Sequence, residues 1–333
     1  MYIVFRRLFF LCFLIFLSCN KKIDLLFPVA SFTFSPIVPV TGEPVTFSAS
    51  SSKDENGSII SYTWNFDDES FGSGEIITHS FESEGTFQIK LTVIDDDNQS
   101  ATKLMEITVN SSLVLVDVFQ LSISSPSGLS LNYDGESLWT VSDKPGGGIY
   151  KISLTETTME SLPYSGVDLE GVVVSQQDST LWIVEESLGK MIQLSSSGDE
   201  LQRISIPGST EGSGGLEGIT FNPNTNHFYL LKEKDPGVLI ILDSLYNLKN
   251  YIRVYFANDF SGIFYDQINN KLWIISDQDS KVFLCDLLGN VIKSFSVDVS
   301  KAEGIAVDIE KNRIYIVSDL EEKLYVYKLL DFR

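Results

Sequence analysis

Apolar and polar residues alternate from Phe87 to Val93, placing Phe87, Ile89, Leu91 and Val93 on one face of a strand. The same period of two recurs in Val45-Thr46-Phe47-Ser48 and at Tyr62, Trp64 and Phe66, with the turn-forming cluster Asp54-Glu55-Asn56-Gly57-Ser58 before the latter. About seven such short strands between residues 28 and 110 predict an Ig-like β-sandwich. The polar joint Asn110-Ser111-Ser112 then separates this pattern from a different one.

From residue 113 to 333 the chain repeats. Gly128, Gly171, Gly218, Gly262 and Gly304 each follow Ser or Glu and open a short apolar run, at steps of 43, 47, 44 and 42 residues. About ten residues after each glycine comes a second strand that ends in a carboxylate: Asp143, Glu186, Glu233, Asp277 and Asp319. A repeat of this length made of four short strands is the pattern of a propeller blade. The fifth repeat stops after three strands, and the alternating stretch Leu113 to Phe119 ahead of the first repeat is placed to supply the fourth. The expected fold is therefore all-β, a sandwich plus a five-bladed β-propeller whose ring is closed by a strand from its own N-terminus, which removes exposed sheet edges.

The first residues change the picture from architecture to address. Arg6 and Arg7 precede ten apolar residues, Leu8 to Leu17, too few for a bilayer span of roughly 20 and of the right length for an export signal. Leu17-Ser18-Cys19-Asn20 follows and resembles the lipobox of bacterial lipoproteins, which implies a signal peptide over 1–18, lipidation of Cys19, a tether over 19–27 and a protein held in the cell envelope, on the outer membrane, by acyl chains in the bilayer. Of the other cysteines, Cys12 lies in the signal and Cys285 in an apolar strand, so no disulfide is expected in the mature chain. A net charge of −21 argues against nucleic acid as a partner, because phosphates must be neutralised by Lys and Arg.

Two family resemblances attach to particular residues. Tyr62-Thr63-Trp64-Asn65-Phe66-Asp67, His79-Ser80-Phe81, Gly85-Thr86-Phe87 and Leu91-Thr92-Val93-Ile94-Asp95 resemble a PKD domain, which implies a spacer or adhesion module; Asp67-Asp68-Glu69 departs from that family's Gly-Asp-Gly turn. Asp168-Leu169-Glu170, Gly215-Leu216-Glu217-Gly218, Lys232-Glu233-Lys234 with Pro236, Asp259-Phe260-Ser261-Gly262 and Ala302-Glu303-Gly304 resemble the SdiA-regulated propellers. That resemblance implies five blades distantly related to NHL repeats, bound calcium, and no established activity.

Candidate chemistry concentrates on one face of the disk. First strands line a propeller's axis, so Glu170, Glu217 and Glu303 are expected to converge there, with Glu186, Glu233 and Asp277 in a wider ring of second-strand ends that also takes in Asp143 and Asp319. Like charges raise one another's pKa and burial adds a desolvation cost, so a hard cation is expected among them, and an all-oxygen donor set of irregular shape suits Ca²⁺. Asp168, Lys232 and Ser261 are candidate contacts for a small molecule, glycan or protein at this face. The reading is a calcium-dependent binding or sensor module, with a metal-dependent hydrolase as the alternative. His79 falls in the sandwich and His227 at the opposite end of a second strand from the acids, which disfavours a His-dependent mechanism. Asp95, Asp96 and Asp97, at a strand end, are read as a solvated turn.

Overall fold

The computed structural model describes residues 26–155, 158–175, 177–209 and 214–330, and all its regular elements there are β-strands. Cys12 and Cys19 lie outside the described residues. The chain forms two compact units.

In the sandwich, a three-stranded sheet of Thr33–Ser35, Pro44–Ser48 and Ile76–Ser80 accompanies a four-stranded sheet in the order Phe71–Ser73, Ile59–Asn65, Gly85–Asp95, Ser100–Val109. The alternation is what places the core: Phe47, Ile89, Leu91 and Val93 are wholly buried, whereas Phe87 is only partly so. Trp64 lies edge-on to Phe32 at 5.1 Å, and its indole N–H donates to the Gly74 carbonyl at 2.9 Å, so the one polar atom of the ring is satisfied. At the departure from the PKD turn pattern, Asp67 and Glu69 take left-handed φ values of 66° and 69°. Asp95, fully buried rather than solvated, accepts the Gln99 N–H at 2.6 Å and closes its own turn, while Asp96 accepts the Ser58 N–H at 3.0 Å and ties that turn to the loop before Ile59–Asn65.

The propeller consists of five antiparallel four-stranded sheets. Blade 1 runs outward through Pro126–Leu131, Ser137–Ser142, Gly147–Ser153 and Met159–Gly166; blade 2 through Leu169–Val174, Leu181–Glu185, Lys190–Leu194 and Glu200–Ser205. Blade 3 comprises Leu216–Asn222, His227–Lys232, Gly237–Leu242 and Leu248–Val254, and blade 4 Gly262–Asp266, Lys271–Ser276, Lys281–Cys285 and Val291–Ser296. Blade 5 contains Ala302–Asp308, Arg313–Ser318 and Lys323–Leu329, and its outer strand is Leu113–Gln120, paired antiparallel from Leu329↔Leu113 to Lys323↔Gln120. Cys285 is buried in the apolar layer between blades 3 and 4, and burial pushes its thiol up to about 12.

Inner strands are apolar on both faces because each is covered by a blade on either side, and Leu169–Val174 is buried at every position. Trp182 of blade 2 packs on Phe228 of blade 3 with ring centroids 5.0 Å apart. The repeat glycines set the spacing at the axis. A Cβ on Gly128 would stand 2.9 Å from the Cα of Gly171, one on Gly171 2.9 Å from Gly218, and one on Gly218 3.4 Å from Gly262. The circuit continues with 3.3 Å from Gly262 to Gly304 and 2.8 Å from Gly304 back to Gly128. Five backbones meet round the axis where no side chain fits, which accounts for glycine at this point of every repeat.

Candidate cation site at the acidic mouth

The residue before each of three repeat glycines is the extra residue of a β-bulge. Leu169 pairs with Glu185 and Gly171 with Val184, leaving Glu170 unpaired; Glu217 and Glu303 are skipped in the same way between Leu216 and Gly218 and between Ala302 and Gly304. A bulge releases one residue from the ladder and re-aims its side chain. Blade 1 bulges at Gly128 instead, and the inner strand of blade 4 pairs from Gly262 without one.

A second device brings the outer acids inward. The chain enters blades 1, 2 and 5 through left-handed residues, Ser125, Asp168 and Lys301 with φ of 47°, 63° and 48°. Their carbonyls accept the N–H of Asp143 at 3.2 Å, Glu186 at 3.0 Å and Asp319 at 3.0 Å, each at the end of a second strand. In blade 3 the Gly215 carbonyl does the same for Glu233 at 3.0 Å. Entry residue, bulged glutamate and second-strand acid are thereby gathered at one end of blades 2, 3 and 5.

Two groups of three carboxylates result, Asp168 with Glu170 and Glu186, and Glu186 with Glu217 and Glu233; within each group one oxygen per residue lies within 4.8 Å of the others. Glu186 belongs to both. Its Oε1 accepts the Gly215 N–H of blade 3 at 2.8 Å, which carries the side chain across the boundary between blades 2 and 3. Glu170 and Glu217 are each 7% exposed. Glu170 accepts the Ser127 hydroxyl at 2.7 Å.

Burial, and then mutual repulsion, set the electrostatics. Glu170 and Glu217 are held well above the usual carboxylate range, chiefly by desolvation, which for Glu217 is reinforced by Glu170, Glu186 and Glu303. Glu186 is raised by burial and by Asp168, and Asp143 by burial and by Asp319. Glu303 is pushed up to about 7 by burial, against the pull of Lys301.

Of the three inner glutamates expected to converge, Glu303 stands outside both carboxylate groups. Lys301 draws it aside, with its ammonium 3.5 Å from Glu303 and 3.8 Å from Asp277. Lys301 was not among the residues expected at this face; its signal is its place three residues before the repeat glycine, where blade 2 has Asp168. Asp168, read as a ligand contact, sits among the carboxylates. Lys232 is fully buried, and its ammonium donates to the Lys234 carbonyl at 2.7 Å, while Lys234 pairs with Glu233. Ser261 accepts the Asp277 N–H at 3.1 Å and so does in blade 4 what an entry carbonyl does elsewhere. His227 begins the strand that ends at Lys232, and its Nε2 lies 3.2 Å from the Lys249 ammonium, away from the acids.

The donor set is all oxygen, buried at its centre and under-neutralised. Such a set fits a hard cation of high coordination number, and Asp168, Glu170, Glu186, Glu217 and Glu233 are the residues that would hold it.

Comparison with known proteins bears on both units. The profile of the SdiA-regulated family matches residues 115–328 and that of the PKD domain residues 27–109. A microbial collagenase of Vibrio alginolyticus is 36% identical over 70 residues, 21% of this chain and 9% of that protein. Collagenase ColA of Bacillus cereus is 32% identical over 74 residues, 22% of this chain and 8% of its own length, so the chain spans less than a tenth of either collagenase. Among solved structures, the PKD1 domain of the Vibrio cholerae metalloprotease PrtV is 31% identical, with a TM-score of 0.23 over 26% of this chain and 100% of that one. Streptogramin B lyase is 17% identical with a TM-score of 0.40, over 65% of this chain and 73% of the lyase. With a profile match running from the closing strand to the last strand of blade 5, the chain belongs to the SdiA-regulated family and carries a PKD domain ahead of its propeller.

Proposed function

We propose that this protein is a lipid-anchored, extracytoplasmic binding or sensor module whose propeller holds Ca²⁺ at its acidic mouth, with the PKD domain as a spacer or adhesion module. One observation carries the reading: Glu186 is shared between two three-carboxylate groups whose other members include Glu170 and Glu217, both more than nine-tenths buried. Buried carboxylates so close together either take up protons or are neutralised by a cation, and a divalent ion removes the repulsion without requiring protonation at neutral pH. The anchor rests on Cys19 directly after the apolar export segment. Metal analysis of the purified protein, with melting compared in Ca²⁺ and in chelator, tests the site. Bound calcium and a higher melting temperature that Glu186→Gln abolishes support the reading; no bound metal and identical melting in both buffers refute it.

A further inference from the structure

The other mouth of the propeller holds a cavity of about 540 Å³, bounded by the far ends of all five inner strands and by the turns that follow those of blades 1, 3, 4 and 5. This lies within the size range of small-molecule sites, which run to roughly 300–1,000 Å³. Four aromatic residues line it, Tyr133 in blade 1, Phe221 in blade 3 and Phe264 and Tyr265 in blade 4, and no Lys or Arg does among the described residues. Its charged groups are Asp266, Asp308 and Glu310.

Turn geometry accounts for the position of the two aspartates but not for their charge. Each stands four residues after a repeat glycine and caps the turn to the second strand, Asp266 accepting the Ile268 N–H at 2.9 Å and Asp308 the Lys311 N–H at 3.0 Å. In blade 3 the same place is taken by Asn222, whose side-chain oxygen accepts the Asn224 N–H at 2.9 Å, and in blade 2 by Ser175. An amide therefore caps this turn as a carboxylate does. The charge in adjacent blades 4 and 5 is additional, and Glu310 adds another. Lys311 on the rim stands 3.5 Å from Asp308 and donates to the Gly135 carbonyl, so Asp308 is partly neutralised, and Lys271 and Arg313 are the ladder partners of Asp266 and Asp308.

We propose that this axial pocket binds a small organic ammonium compound, with the cationic nitrogen between Asp266 and Glu310 and an apolar body against Phe264, Phe221 and Tyr133. Aromatic faces attract a cation through their quadrupole, and carboxylates at the same mouth add Coulomb attraction in a partly water-excluded space. An anion would face three carboxylates and no Lys or Arg of the lining among the described residues. The site is independent of the acidic mouth, which occupies the opposite ends of the same inner strands.

Three probes of one size and different charge test the proposal by calorimetry on the full-length protein: 2-phenylethylammonium, 2-phenylethanol and phenylacetate. The expected order is ammonium tightest, at least about 10-fold over the alcohol, and phenylacetate weakest. Asp266→Asn combined with Glu310→Gln should bring ammonium and alcohol to about equal affinity; Phe264→Ala should weaken both. Asn at this place already serves blade 3, and an unchanged melting temperature confirms that the double variant is folded. Glu186→Gln, at the other mouth, should leave ammonium binding intact. The proposal is overturned by equal affinity for all three probes, by no binding of the ammonium up to on the order of 10 mM, or by binding that Glu186→Gln removes and the pocket variants do not.

Discussion

A Cβ on Gly304, in the last blade, would stand 2.8 Å from the Cα of Gly128 in the first. The ring thus closes backbone against backbone at the axis, as well as through strand pairing at the rim, and there is no slack at the inner closure for even a methyl group.

Alanine at Gly171 should expose this constraint. Its Cβ would meet the Ile219 nitrogen at 2.8 Å as well as the Gly218 Cα, and backbone on both sides cannot swing away as a flexible side chain can. We expect a loss of about 1–3 kcal/mol or more by denaturant titration. Gly146→Ala is the control: with φ of 79° and nothing within 4 Å of the added carbon, it should lose only the left-handed penalty of about 1 kcal/mol.

Ring closure at the rim depends on Leu113–Gln120. A fragment starting at Ser112 keeps this strand and buried Leu113, whereas one starting at Ser124 leaves the edge of Lys323–Leu329 unpaired. The longer fragment should melt cooperatively and remain monomeric, and the shorter should melt lower and aggregate through the open edge. Light scattering during a thermal ramp distinguishes them.

Stability in chelator should fall as pH rises. Glu303 titrates in the folded protein at about 7 against an ordinary value of 4.5, and Glu170, Glu186 and Glu217 shift in the same direction. Between those two values the folded state binds more protons than the unfolded, so the stability present below about pH 4.5 is lost as pH climbs through 7. The effect of Glu303 alone is on the order of 3 kcal/mol. Saturating Ca²⁺ should flatten the slope, and calcium binding near neutral pH should release protons, measurable by calorimetry in buffers of different ionisation enthalpy.

Glu186→Gln should act in opposite directions in the two conditions. Removing the shared charge relieves repulsion on Glu170 and Glu217, so the variant should melt higher than wild type in chelator. It should also bind calcium at least about 10-fold more weakly, because affinity follows the charge and number of the oxygen ligands. Glu303→Gln, outside both carboxylate groups and beside Lys301, should cost calcium affinity much less.

Replacement of Cys19 by serine should move the protein from the membrane fraction to the soluble extract, since several acyl chains are needed for a lasting hold on a bilayer. Retention of Cys19→Ser in the detergent phase would place the anchor elsewhere.

Fold class was legible in the chain because period-two alternation and a recurring glycine are local records of burial and close approach. A buried strand must be apolar wherever its neighbour covers it, and an axis shared by five backbones admits only glycine, so both leave marks at each repeat. Blade count and the closing strand Leu113–Gln120 followed from counting those marks. The acidic face was legible for the same reason, since a carboxylate directly follows every second strand.

Partnership among the acids was decided only by the tertiary structure. The bulge that turns Glu170, Glu217 and Glu303 out of their ladders depends on how each inner strand registers with the next, and it leaves no mark that spacing reveals. Glu186 became the shared member because its carboxylate reaches Gly215 of the following blade, a contact between residues 29 apart in sequence. Glu303 was set apart by Lys301, which a left-handed entry turn holds beside it. The aromatic and acidic pocket at the far mouth was hidden for the same reason: its walls come one short piece from each blade, and convergence from five separate stretches of chain exists only once the ring has closed.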